Sequence, residues 1–476
     1  MRTRYLFVGA ILAGVLQATP VVAQSSVRAT TPPTSASAAG RPVDEPSDAP
    51  TLDSLVALAL AINPAIRAAG SRIDAARARV GPAAALADPM LMLGIINQPL
   101  GRGPGGGGDA MASPSGPDEM TMRMVGVSQT LPFPGKRPLA RLGAELEVAV
   151  ARASVDVVRR QVEYDVKAAW YDIAFIDQAL TIVDRNRDVL AGLIKVAEAR
   201  YGLGSAGQQD VLRARVEATR LAETASELIE QRHAAVALLN GVLDRPVATE
   251  VPPLAVPERL ARAAVGTSAD VIRFTSAALG ARAADSPLRS LEELQSAAVQ
   301  ASPELREQEA MIAVQRAKLE LARKASLPDV DLSLQYGQRS GGLPDMVSAT
   351  VSFPLAVFKG RKQDQQVIES TALLHAATAD RAARTNAVRA EVTRLVAEIE
   401  RERTRLALTV KAILPQGRAA MMSSVSSYQT GKAEFLAVLE NQATVFSYET
   451  EYFRALSDFA TRVAALERVV GTEVLK

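Results

Sequence analysis

Tyr201–Leu212 reads YGLGSAGQQDVL, and Tyr428–Leu439 reads YQTGKAEFLAVL. In both stretches a tyrosine stands three residues before a glycine, and a helical pattern ending in Val-Leu restarts a few residues later. Each lies between two long segments with helical periodicity. Two long helices joined by a short glycine turn make an αα-hairpin, and two such hairpins in one chain indicate an internal duplication.

Upstream of the first turn the helix carries Leu146, Val150, Ala153, Val157, Tyr164, Ala168, Tyr171 and Phe175 at steps of three, four or seven, the seam of a coiled coil. If it is unbroken from Lys136 to Arg200, at 1.5 Å per residue it is roughly 95 Å long. The return helix runs from Gln208 to about Leu243. The second copy carries Val388, Val392, Leu395, Ile399, Leu406, Val410 and Ile413 toward its turn, with a kink expected at Pro415.

Each long helix is preceded by two short apolar or alternating runs. In the first copy these are PMLMLGIIN (Pro89–Asn97) and EMTMRMVGVSQTL (Glu119–Leu131), separated by a Gly/Pro-rich loop over 99–117. In the second they are PDVDLSLQYGQ (Pro328–Gln338) and DMVSATVSFPL (Asp345–Leu355). Both pairs read as two strands. The run GRGPGGGG in the first loop lacks the Lys-Ser or Lys-Thr of a phosphate loop and opens no helix. Before the strands, LDSLVALALAINPAIRAAG (52–70) matches LEELQSAAVQASPELREQE (291–309) without a gap, so that Pro64 pairs with Pro303 and Pro89 with Pro328. The chain therefore divides into a first repeat over 51–243 with its strand pair at 89–131, a proline-broken connector over 244–289, and a second repeat over 290–476 with its strand pair at 328–355.

Composition limits what such a chain does. The 476 residues have a net charge of +2 and only 4% aromatics, which suits long, closely packed helices and gives no basic surplus for nucleic acid. Cysteine is absent, which excludes thiolate chemistry, disulfides and acylation at an N-terminal cysteine. The two histidines, His233 and His375, stand apart in helical stretches, without an HExxH-like partner or a nearby cluster of acids and histidines. No nucleophile, base and orienting group converge, so no enzyme is expected, and neither is a cofactor or a resident metal. Residues 1–23 carry Arg2 and Arg4, an apolar run over Tyr5–Leu16 and a small-residue cleavage site at Val21-Val22-Ala23, the pattern of a secretory signal. Residues 24–50 read as a disordered lead-in.

Two strand pairs supply four strands, too few for a barrel with an open lumen, and strands in lipid tolerate no open edge. Several chains that pool their hairpins satisfy both constraints. With the two-fold repeat, the Asn63-Pro64 and Ser302-Pro303 elements, the VSQTLPFPGKR junction (127–137) and the paired Tyr-x-x-Gly turns, the sequence resembles the TolC-like outer-membrane efflux channels. The resemblance implies a mainly α fold with membrane β-barrel strands: duplicated long α-hairpins and two β-hairpins per chain, assembled as a homotrimer. A twelve-strand barrel in outer-membrane lipid would continue into a helical barrel across the periplasm. It also implies that the helix turns meet a periplasmic adaptor protein and an inner-membrane pump.

By the same resemblance, acidic residues just beyond the second turn ring the periplasmic aperture. Aligning the Val-Leu pairs puts Ala437 and Glu440 at those places, and Asp210 at the earlier one in the first copy, so Glu440 and Asp210 are gate candidates. Tyr201, Gly204, Ser205, Gln208, Gln209, Tyr428, Gly431 and Lys432 are adaptor-contact candidates. The LPFPGKR junction is similar to channels of the heavy-metal branch. Met120, Met122 and Met124 alternate along one strand, Met90 and Met92 along the one before, and thioether sulfur suits soft cations, although such a strand face also serves plain packing or lipid contact. A duct for drug efflux or type I secretion, or a periplasmic coiled-coil adaptor, is the alternative reading.

Overall fold

The computed structural model describes residues 51–96, 121–265, 286–339 and 343–475. The signal and lead-in (1–50), the Gly/Pro-rich loop with Met120, and part of the connector lie outside the described residues. The first repeat comprises α1 (Leu52–Ile62), α2 (Pro64–Ala84), β1 (Met90–Ile96), β2 (Met122–Leu131), α3 (Lys136–Gly202) and α4 (Gln208–Val242). A short α5 (Glu258–Val265) lies in the connector. The second repeat follows the same order: α6 (Leu291–Ala301), α7 (Pro303–Lys324), β3 (Val330–Arg339), β4 (Met346–Ser352), α8 (Gln363–Leu408), a π-helical turn (Thr409–Ile413), α9 (Leu414–Gln429) and α10 (Phe435–Val470).

The helix breaks before the strands are built by their sequence. Thr51 caps α1 by accepting from the Ser54 N–H at 3.2 Å, and Ser290 forms a full capping box with Glu293 on α6. At Asn63 the side chain accepts from the Ala65 N–H (2.8 Å) and donates to the Val242 carbonyl (2.7 Å), so the kink is tied to the end of the return helix. The second repeat makes the corresponding closure with Gly471, whose φ of +81° lets its backbone lie against Ala301. Leu52–Ala84 is long and apolar enough to resemble a membrane helix, but it is two helices, and Leu55 and Ala59 are buried in the core.

Helix α3 has 67 residues, roughly 100 Å at 1.5 Å per residue. It packs against α2 and α7 and against α4 and α10, so it presents apolar residues on more than one face. That corrects the expected seam. Of the expected row only Tyr171 is fully buried; the buried row includes Val148, Val155, Val162, Val166 and Ile173, and Leu146, Val150, Val157 and Phe175 flank it half-buried. In α8 the expected row holds through Val388, Val392, Leu395, Ile399 and Leu406, all buried, and then slips. Thr409 and Leu414 are buried in place of Val410 and Ile413, because the wider π turn before Pro415 shifts the helix phase. Proline has no N–H to donate, and the expected kink is accommodated as this turn without ending the rod.

The four strands form one antiparallel sheet in the order β1-β2-β3-β4, with β2 and β3 joining the two repeats. Directly opposed residues share a face. One face carries Met90, Met92, Gly94 and Ile96; Met122, Met124, Gly126, Ser128 and Thr130; Asp331, Ser333, Gln335, Gly337 and Arg339; and Met346, Ser348, Thr350 and Ser352. The other carries Leu91, Leu93 and Ile95; Arg123, Val125, Val127, Gln129 and Leu131; Val330, Leu332, Leu334, Tyr336 and Gln338; and Val347, Ala349 and Val351, so it is apolar except for Gln129 and for Arg123 and Gln338 toward one end. Burial is inverted relative to a sheet in water. Leu93 is 73% exposed, Leu334 58% and Val347 70%, whereas Gly126 and Gly337 are buried and Met122, Met124, Ser333 and Gln335 half-buried. The methionines thus lie with Ser128, Ser333, Gln335 and Ser348, on the opposite face from the leucines and valines. Asp329 ties the sheet to α3 by accepting from the Phe133 N–H and from Lys136 Nζ, both at 2.8 Å.

Candidate functional site

The two turns that open the sequence argument are built alike and lie side by side. In the first, the Gly204 N–H donates to the Tyr201 carbonyl (2.9 Å) and the Ser205 N–H to Arg200 (2.9 Å). In the second, Gly431 donates to Tyr428 (3.0 Å) and Lys432 to Ser427 (2.8 Å). Gly204 and Gly431 sit at φ +68° and +76°, the left-handed conformation that closes a helix end and that glycine adopts without strain.

The two tyrosines are not equivalent. Tyr201 is 50% exposed, whereas Tyr428 is 2% exposed, packed on Phe435 at 5.0 Å between ring centres. Phe435, where the first copy has Gln208, and Arg200 together make the difference. The Arg200 guanidinium lies over the Tyr428 ring, 4.4 Å from the centroid, and donates to the Tyr428 carbonyl and to the Ser205 carbonyl (3.0 Å). The Tyr428 hydroxyl in turn donates to Asp210 Oδ2 at 3.3 Å. Arg200, Tyr428 and Asp210 therefore form a clasp between the first and second hairpins, over a small core of Leu193, Ala197, Val211, Ala214 and Val438. Burial pushes the Tyr428 hydroxyl above its ordinary pKa, and the neighbouring Asp210 carboxylate adds to this against the opposing pull of Arg200.

The expected site residues sort accordingly. Gly204, Ser205, Gln208, Gln209, Gly431 and Lys432 are exposed along the turns with Tyr201. Tyr428 is corrected from surface contact to interior anchor, since its ring is buried. Asp210 is half-buried and engaged in the clasp. Glu440 is exposed, shares an open side of α10 with Leu436, and makes no ion pair among the described residues.

Sequence reasoning missed Arg200, because its second-copy counterpart is Ser427 and nothing in spacing marks it. It also missed Leu203, which stands 83% exposed at the tip beside Tyr201. Above the tip lies a buried polar layer that was equally invisible. Gln442 donates to Asn186 Oδ1 (2.8 Å), and the Glu449 carboxylate, 6% exposed, is held between Arg185 and Arg418. These contacts join α3, α9 and α10. No group of three or more His, Asp or Glu at metal-binding geometry occurs among the described residues.

Residues 294–472 match the family described as outer membrane efflux protein. The chain is 26% identical over 331 residues to Protein CyaE of Bordetella pertussis, covering 67% of this chain and 62% of that protein, so it spans less than two thirds of that relative's length. Among solved structures, it is similar to the outer membrane protein VceC of Vibrio cholerae, with TM-score 0.67, 18% identity, and 88% and 96% of the two chains covered. It is also similar to CusC, described in terms of folding and transmembrane channel formation, with TM-score 0.69, 13% identity, and 88% and 92% covered.

Proposed function

From a chain whose second repeat carries the outer membrane efflux protein pattern and whose described residues have the fold of TolC-like channels, we propose that it is the outer-membrane duct of a tripartite efflux system. It passes substrates delivered by an inner-membrane resistance-nodulation-division pump through a periplasmic adaptor. The observation that carries this reading is the inverted sheet. An apolar face left open and a polar face turned inward are stable only where lipid lies outside and water inside. Strands β1 and β4 are edges without partners among the described residues, and lipid makes such edges costly. Pairing β4 of one copy with β1 of the next, three times over, removes them and continues the long helices into a periplasmic tube.

The exposed turn residues from Tyr201 to Gln209, with Gly431 and Lys432, are where the adaptor docks, and Leu203 adds an apolar anchor. Three-fold repetition makes Glu440 a ring of carboxylates at the aperture, which favours cations. Heavy-metal cations are the proposed cargo, supported by the methionines of the inward face. Reconstitution in a planar bilayer tests the duct: discrete conductance steps are expected, and their absence overturns it. In the same assay Glu440→Ala is expected to lower selectivity for cations over anions; unchanged selectivity removes Glu440 from the gate. A metal-sensitivity panel on a deletion strain tests the cargo, and resistance equal to the parent strain rejects it.

A further inference from the structure

We propose that the methionines of the inward sheet face form a thioether site for a soft monovalent cation, Cu(I) or Ag(I). This inference rests on the barrel reading above, which makes that face the wall of the lumen. The site follows from cross-strand register. One row across the sheet reads Gly94, Met124, Gly337, Met346, and the next places Met92 opposite Gly126. Three positions of the face therefore have no side chain, and Met92, Met122, Met124 and Met346 stand around them.

Met122 and Met124 lean over two of these positions, while the Gln335 side chain covers Gly126. A β-carbon added at Gly337 would overlap the Met122 sulfur, and one added at Gly94 would lie 3.5 Å from Met124 Cε. Met122 is directly opposite Arg339, but its sulfur lies over Gly337, two positions along β3. Opposed side chains in an antiparallel sheet start ~5 Å apart and diagonal ones ~7–8 Å. Unbranched methionine spans those gaps, so two or three sulfurs reach one ion. Neutral thioether sulfur is a poor ligand for hard cations and a good one for Cu(I) and its congener Ag(I). Thiolate and imidazole compete little, since the chain contains no cysteine and only two histidines, both on helices; the competing groups are the seven other methionines, which the variant below retains as its internal control.

Plain gap-filling over glycine is a property leucine shares, and the test uses that. The purified full chain, in detergent and in planar bilayers, is titrated with silver nitrate in a nitrate electrolyte, and compared with a variant carrying Met92→Leu, Met122→Leu, Met124→Leu and Met346→Leu. The wild type is expected to show saturable Ag(I) binding and a fall in conductance on adding Ag(I). The variant is expected to lose both while keeping its conductance in potassium nitrate. Equal Ag(I) binding by the two proteins, or none by the wild type, overturns the site. Should the variant fail to assemble, Met92→Leu and Met346→Leu alone serve, and Ag(I) affinity unchanged in both overturns it too. Conductance that ignores Ag(I) thus removes the site and leaves the duct, whereas a wild type without conductance removes the duct itself.

Discussion

Val127→Arg and Leu334→Arg, singly or together, are expected to remove the protein from the outer-membrane fraction, while Ser333→Arg leaves it there. Val127 and Leu334 are opposed across the β2–β3 junction and stand 49% and 58% exposed on the apolar face. A basic side chain on the lipid face of a barrel costs about 2–4 kcal/mol near the midplane. In the proposed trimer every copy would carry that cost, against a folding margin of only ~5–15 kcal/mol for a typical domain. Ser333 is the neighbour of Leu334 in sequence but lies on the opposite face, opposite Ser128 and Thr350, where a charge meets water. Membrane fractionation followed by electrophoresis reads the result as presence or loss of the protein in the outer-membrane fraction. Equal tolerance at Leu334 and Ser333 would mean that neither face meets lipid.

Arg200→Ala is expected to raise the resting conductance of the reconstituted channel, and by more than Tyr428→Phe does. The tip is held by what Arg200 touches: two carbonyls, one in each turn, and the face of Tyr428. Hydrogen bonds to a charged group contribute about 1.5–3 kcal/mol each, and a cation over an aromatic ring about 0.5–2 kcal/mol. Tyr428→Phe keeps the ring and the backbone contacts and loses only one bond to the Asp210 carboxylate, which at 3.3 Å is long for O–H···O and so falls at the low end of the charged-group range, about 1.5 kcal/mol or less. The order expected is therefore Arg200→Ala above Tyr428→Phe above wild type. The pH dependence has a definite sign. Because the Tyr428 pKa is raised in the fold, its contribution is complete below the ordinary tyrosine range and is lost only as pH climbs through the raised value. The clasp should hold across neutral pH and weaken in alkali. A wild-type conductance already equal to that of Arg200→Ala would show that the clasp does not restrain the tip.

Much of the architecture is legible in the residues because each signal is local. Gly204 and Gly431 mark the turns, since a backbone at positive φ asks for glycine. Pro64 and Pro303 mark the helix breaks, and alternation marks the strands. What escaped was decided by partners distant in sequence. The α3 seam was displaced because that helix is apolar on several faces, and periodicity does not say which face meets which neighbour. Val410 and Ile413 fell out of phase because the π turn before Pro415 shifts the helix face. Tyr201 and Tyr428 look alike in sequence; Arg200, whose second-copy counterpart is Ser427, and Phe435, whose first-copy counterpart is Gln208, both pack on Tyr428 and make it an anchor while Tyr201 stays exposed. The methionines show the same limit. Their alternation places them on one face of their strand, but only the register, with Met90 opposite Ser128 and Gln335 and Ser348 in the same row as Gly126, shows that face to be the polar one.

The chain lacks cysteine, so single cysteines introduced at each position from Asp331 to Gln338 report directly on which face meets water. In intact outer membranes, a water-soluble thiol reagent should label Asp331, Ser333, Gln335 and Gly337 positions and spare Leu332, Leu334 and Tyr336. Labelling of the opposite phase, or of all positions alike, would contradict the inverted sheet and with it the duct.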